Sequence, residues 1–202
     1  MITFPDSIII GVTGQMGSGK STVSGLFKEW GSQLIDADLV AHELLEKPEV
    51  LSSLENQFDC KLIDLPAKIR RLKLSAIVFK NRDSLDSFYE IIKIPLIAEL
   101  EKKIEKQKLI HKIVVFDAPL LFEWELDEWV DSTVAVSAER ELCIKRVMDR
   151  SLLSRSDIED RISLQLDPKI KNSRADYFIE NNNSLEGLRK RAKVVWNSLQ
   201  RV

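Results

Sequence analysis

The segment Gly14-Gln15-Met16-Gly17-Ser18-Gly19-Lys20-Ser21 constrains this chain more than any other. It fits G-x-x-x-x-G-K-[ST], and its flanks suit the pattern. A β-branched run (Ile8, Ile9, Ile10, Val12) precedes it. A stretch from Lys20 to Trp30 follows, with Val23, Leu26 and Phe27 on one helical face. Six of the seven glycines (Gly11, Gly14, Gly17, Gly19, Gly25 and Gly31) lie in the first 31 residues, and only Gly187 stands apart. Glycine so concentrated excludes a flexible linker or low-complexity chain, which would scatter it. It marks a backbone that bends sharply or is closely approached. Such a loop aims successive N–H groups at a phosphate, and the following helix adds its partial positive charge. On this reading Gly14, Gln15, Met16, Gly17, Ser18, Gly19, Lys20, Ser21 and Thr22 bind a nucleoside triphosphate. Lys20 bridges the β- and γ-phosphates, the Ser21 hydroxyl ligates Mg²⁺, and Thr22 reaches the α-phosphate. Gly31 reads as a helix stop and Gly25 as a close-packing position.

Composition narrows the class. The 202 residues are 44% hydrophobic and 31% charged, enough for one domain with a buried core and an inserted subdomain. Thirty basic residues stand against 32 acidic ones, without the basic excess of a dedicated nucleic-acid binder. Residues 1–138 carry 16 basic and 22 acidic residues, while 139–202 carry 14 and 10, so the basic surplus falls in the last third. The longest uncharged stretch, Ser7–Gly19, is too short and glycine-rich to span a bilayer, which needs about 20 apolar residues. Met1–Ser7 lacks the basic start of a secretory signal. Cys60 and Cys143 have no metal-binding spacing and read as reduced thiols of a cytoplasmic protein. Nothing here fixes an oligomeric state, and an oligomer is compatible with all of it.

Periodicity predicts strands at Ser7–Val12, Gln33–Ile35, Ile113–Phe116, Thr133–Val136 and Tyr177–Ile179. Helices are expected at Lys20–Trp30, about Asp38–Leu45, throughout Pro48–Lys108, to Arg150 from an N-cap at Ser137, and from Ser184. Ser156 with Glu159 reads as a capping box for a helix to Leu166. Pro95 is expected to kink its helix or divide it. Strands separated by helical crossovers give an α/β fold, a three-layer parallel sheet with a helical insertion.

A phosphate loop alone does not choose a reaction. The guanine-reading Asn-Lys-x-Asp of GTPases is absent from the sequence. A small-molecule kinase needs a carboxylate near the acceptor hydroxyl and a mobile arginine-rich lid. Asp36 and Asp38 follow the second strand, at the strand end where open α/β sheets bind ligands, and either suits a proton acceptor or a helix cap. His42 lies one helical turn beyond Asp38. Arg146 and Arg150, then Arg161 and Gln165, repeat an i, i+4 spacing suited to closing over phosphates or to an exposed face. Asp117, ending its apolar strand, suits Mg²⁺ binding through water or a turn cap.

Together these motifs resemble the dephospho-CoA kinase family over nearly the whole chain. The resemblance rests on Val12–Thr22, Ile35-Asp36-Ala37-Asp38 with His42, Ile77-Val78-Phe79 and Pro119-Leu120-Leu121-Phe122-Glu123. It extends through Lys145–Arg150, Arg161, Gln165 and Ala175–Asn181. It implies a P-loop NTPase fold with a helical substrate-binding insertion at about 47–108 and a helical lid at about 146–172, within one kinase domain of residues 1–202. It also implies ATP- and Mg²⁺-dependent phosphorylation of the ribose 3′-hydroxyl of dephospho-CoA. Asp38 would be the base, with Lys20 and Arg146 as catalytic partners. Asp36, His42, Arg71, Arg161 and Gln165 would face substrate, and Arg150 and Asn181 would face ATP. With no glycine in the lid, its hinges would fall around Leu152–Ser156 and Asp167–Asn172. The sequence departs from the family at Ile94-Pro95, where His-Pro is usual, at Asp64-Leu65 in place of Asp-Gly, and at Asn183 in place of Gly. A kinase for another nucleoside-like acceptor and a non-catalytic nucleotide-binding regulator stand as alternatives.

Overall fold

Ile8, Ile9, Ile10, Val12 and Thr13 are β-branched and favour an extended backbone, and the segment Ile8–Gly14 is the central strand, β1. The computed structural model describes residues 7–200; residues 1–6, most of the stretch tested for a secretory signal, lie outside the described residues, as do 201 and 202. Around β1 lie β2 (Gln33–Asp36), β3 (Ile113–Asp117), β4 (Ser132–Ser137) and β5 (Tyr177–Glu180), in the order β2-β3-β1-β4-β5 with every pair parallel. Ile10 and Val12 on β1, with Val115, Val134 and Val136, form one buried face. Helices α1 (Lys20–Glu29) and α9 (Leu185–Leu199) cover that face with Val23, Phe27, Leu188, Ala192 and Trp196. Phe27 and Trp196 meet with ring centroids 5.2 Å apart. Gly11 belongs to the opposite face, where a Cβ would meet Leu121 at 2.9 Å.

The chain divides into two compact units. One runs to Ala37 and resumes at Lys103; the other is Asp38–Lys102. The first holds the sheet, α6 (Arg140–Arg150), α7 (Arg155–Ser163) and α8 (Pro168–Arg174). Ile144 and Val147 of α6 bury against Ile158 and Ile162 of α7. The second unit is helical: most of α2 (Ala37–Leu44), then α3 (Pro48–Phe58), α4 (Ala67–Val78) and most of α5 (Arg82–Lys108). It begins before the 47–108 segment read from the sequence. Its organising residue is Arg70, 9% exposed, whose guanidinium donates to the carbonyls of Leu62, Ile63, Leu65 and Leu45 and to Glu46. All five guanidinium donors are thereby spent.

Three local expectations need correction, and one alternative is decided. Ser137 caps no helix: it ends β4, and α6 begins at Arg140 after Glu139. The capping box is Ser154 with Asp157, two residues earlier than Ser156 with Glu159; Ser154 Oγ accepts from Asp157 N–H, and the Asp157 carboxylate accepts from Ser154 N–H. Of the two outcomes expected at Pro95, division is the one excluded, because α5 runs through it as one helix. The segment Asp167–Asn172 is the start of α8, with Asp167 accepting from Lys169 N–H at 2.7 Å and Pro168 in the first turn.

Candidate active site

The phosphate loop leaves β1 and enters α1 through two left-handed residues, Gly17 (φ +82) and Gly19 (φ +99). A Cβ on Gly17 would lie 2.5 Å from the carbonyl oxygen of Cys143, so backbone conformation and close approach both exclude a larger residue. The loop is braced from behind. Gln15 is buried, and its carboxamide donates to Ala138 O and Cys143 Sγ at 3.3 and 3.1 Å. Only its main chain is left to face a ligand. Burial pushes the Cys143 thiol up, against the lowering effect of the Gln15 hydrogen bond. The Met16 side chain packs on the α6–α7 cluster, and Asn181 Nδ2 donates to Ser18 O at 2.8 Å.

Lys20 opens α1 and forms an ion pair with Asp117 at the end of β3; both are buried. Burial holds the Asp117 carboxyl above the usual carboxylate range, and the Lys20 ammonium pulls the other way. Asp36 lies on the neighbouring strand in register with Asp117 and raises it further. Asp117 Oδ2 is buried without a hydrogen-bond partner. Ser21 and Thr22 follow Lys20, both exposed on the first turn of α1. Lys20, Ser21, Asp36 and Asp117 thus share the carboxyl edge of a parallel sheet, where this architecture places ligands.

Arg146 on α6 donates to Asn181 O at 2.9 Å and reaches Asn181 Oδ1 at 3.4 Å. Arg150 is exposed at the end of the same helix. Arg161 on α7 is half-buried, and that burial pushes its guanidinium down, with Asp157 opposing. Gln165 has a different place from the one expected: its Oε1 accepts from Met16 N–H at 2.9 Å, on the phosphate loop itself. Asn181, expected to face ATP, likewise donates its amide to the loop backbone. Asp38 and His42, both exposed on α2, belong to the helical unit, as does Arg71, which lies 3.5 Å from Glu46. Ile94, where the family carries histidine, is 77% exposed on α5.

Three residues escaped the sequence reading. Lys171 on α8 is buried and holds Glu123 at 2.8 Å and the carbonyl of Pro119. Thr13 Oγ1 donates to that same carbonyl at 3.3 Å. Arg70, one residue before the expected Arg71, is the buried centre of the helical unit. Lys171 sits among Lys169 and Arg174, so its burial leaves no mark in composition; the Asp167-Pro168 helix start was the available signal.

The described residues contain no group of three or more His, Cys, Asp or Glu able to hold a metal, and no helix long and apolar enough to cross a membrane. Residues 8–187 match the model of a family described as dephospho-CoA kinase. A dephospho-CoA kinase of Fusobacterium nucleatum is 37% identical over 186 residues, covering 92% of this chain and 95% of the relative. A crystal structure of a Thermus thermophilus protein superposes with TM-score 0.77 at 33% identity, covering 96% of this chain and 98% of that one. The dephospho-CoA kinase of Campylobacter jejuni gives TM-score 0.66 at 27% identity, with 96% and 97% covered.

Proposed function

The chain belongs to the dephospho-CoA kinase family, and on that premise we propose that it transfers the γ-phosphoryl group of ATP to the ribose 3′-hydroxyl of dephospho-CoA, the closing step of coenzyme A synthesis. The observation that carries the reading is the buried Lys20–Asp117 pair beside a left-handed glycine loop at the sheet's carboxyl edge. That arrangement supports phosphate binding by main-chain N–H groups, with Lys20 exchanging its carboxylate partner for the β- and γ-phosphates. Arg146, braced on Asn181, neutralises charge developing on the transferred group, with Arg150 and Arg161 closing from α6 and α7. Asp38 accepts the proton of the 3′-hydroxyl, while Asp36, His42 and Arg71 orient the acceptor. Residues 146–172 form the lid and the helical unit receives the CoA side.

Mg²⁺ fits the donor set. The Ser21 hydroxyl is exposed, the Asp117 Oδ2 atom is unpartnered, and no all-protein cage is needed, because this ion is commonly held by one or two protein oxygens together with the nucleotide. When bound, it supplies charge neutralisation at the β- and γ-phosphates. Two free cysteines support a cytoplasmic setting.

Purified protein with ATP, Mg²⁺ and dephospho-CoA is expected to yield 3′-phosphorylated product; its absence defeats the reading. Asp38→Asn should lower kcat by about 10²–10⁴-fold with unchanged ATP affinity. Near-normal turnover in that variant would assign the base elsewhere.

A further inference from the structure

We propose that Lys171 and Glu123 are positioning residues for the phosphate loop, acting through the Gln165 carboxamide. The joint between α7 and α8 is tied down at successive points. Gln165 Oε1 accepts from Met16 N–H at 2.9 Å inside the loop. The next residue, Leu166, donates its N–H to Glu123 Oε1 at 3.0 Å. Lys171, with its side chain 1% exposed, reaches that same Glu123 oxygen at 2.8 Å. Its ammonium also donates to Pro119 O, the acceptor of Thr13 Oγ1 one residue before the loop begins. One buried ammonium is therefore linked to the loop at its entrance through Pro119 and Thr13, and at its interior through Glu123, Leu166 and Gln165. Burial pushes the Lys171 ammonium down, Glu123 opposes that push without cancelling it, and Lys20 adds a smaller push downward.

The pair's work follows from this connectivity. A glycine loop has little stiffness of its own, and its N–H groups are useful only when held in place. Gln165 fixes the direction of the Met16 peptide, and Gln165 is fixed in turn because its neighbour's N–H ends on a carboxylate that Lys171 holds. The segment expected as a glycine-free hinge at Asp167–Asn172 is instead tied down, at Asp167 by its helix cap and at Lys171 by Glu123 and Pro119. The inference rests on the loop being the ATP site, so its test reads ATP binding without any acceptor.

The variants are Lys171→Met, Glu123→Gln, their combination, and Gln165→Leu. Equilibrium ATP binding, KM for ATP and for dephospho-CoA, and hydrogen exchange at the Met16 amide are measured on each. Lys171→Met and Gln165→Leu should each weaken ATP binding by about 3- to 10-fold, the scale of one lost hydrogen bond, and speed Met16 exchange. KM for dephospho-CoA should stay at the wild-type value. The combined Lys171→Met, Glu123→Gln protein should lose no more than the worse single variant, because the two act as one unit. Gln165→Leu removes no buried charge, so it decides the matter if Lys171→Met does not fold. Wild-type ATP binding and Met16 exchange in Gln165→Leu would overturn the proposal, as would a loss confined to dephospho-CoA. Wild-type protein that binds ATP but leaves dephospho-CoA unphosphorylated would overturn the acceptor assignment alone.

Discussion

Lys20 and Asp117 form a buried ion pair at the end of the phosphate loop. Asp117 stands above its ordinary value because burial outweighs the attraction of Lys20. A raised folded value means that Asp117 favours folding fully below the ordinary value of 3.8 and loses that contribution as pH rises through the folded one. Lys20→Met removes the attraction and raises Asp117 further. The variant should be destabilised by about 3 kcal/mol at neutral pH and much less in acid, where the orphaned carboxyl takes a proton. Denaturation across a pH series checks this; a gap independent of pH would contradict it. Arg70 and Arg71, adjacent in sequence, differ in burial: Arg70 is the buried centre of the helical unit, and Arg71 is the one proposed to orient the acceptor. Arg70→Met strips four carbonyls and Glu46 of their donor and should cost about 3 kcal/mol or more. Arg71→Ala should move stability by no more than about 0.5 kcal/mol while raising KM for dephospho-CoA. Equal stability losses in the two variants would contradict this assignment.

Elements are where the sequence spoke most clearly, and where its silences have physical reasons. Helix α1 was legible from the spacing of Val23, Leu26 and Phe27 and the stop at Gly31, which takes φ +111. Gly25 was misread as close packing: a Cβ there meets nothing within 4 Å. Gly25→Ala should therefore stabilise α1 by about 0.5–1 kcal/mol, seen as a Tm rise of about 1–4 °C. A lowered Tm would show a contact at this position. The α7 cap was displaced because Ser154 and Ser156 both begin a Ser-x-x-acid pattern, and only the fold decides which serine precedes the first turn. Pro95 left α5 undivided, since the packing of Ile92, Leu96 and Leu100 into the helical unit outweighs one missing hydrogen bond. Helix α8 went unread because its seven residues carry no apolar stripe and its one buried side chain is a lysine.

At the scale of the whole molecule, the α/β class and the parallel sheet were legible from strands alternating with helices along the chain, and the phosphate loop from one contiguous motif. The braces behind the loop were not. Gln165, Asn181 and Lys171 act across long sequence separations, through polar contacts that leave no period in the sequence. The residues proposed for the reaction fall in both units, with Lys20, Arg146 and Asp36 in the sheet unit and Asp38, His42 and Arg71 in the helical one. The most direct test is to incubate the purified chain with ATP, Mg²⁺ and dephospho-CoA and to locate the transferred phosphate by ³¹P NMR and mass spectrometry. Phosphate on the ribose 3′-oxygen, formed together with ADP, is the predicted result. ATP hydrolysis without acceptor phosphorylation, or phosphate at another position, would contradict it.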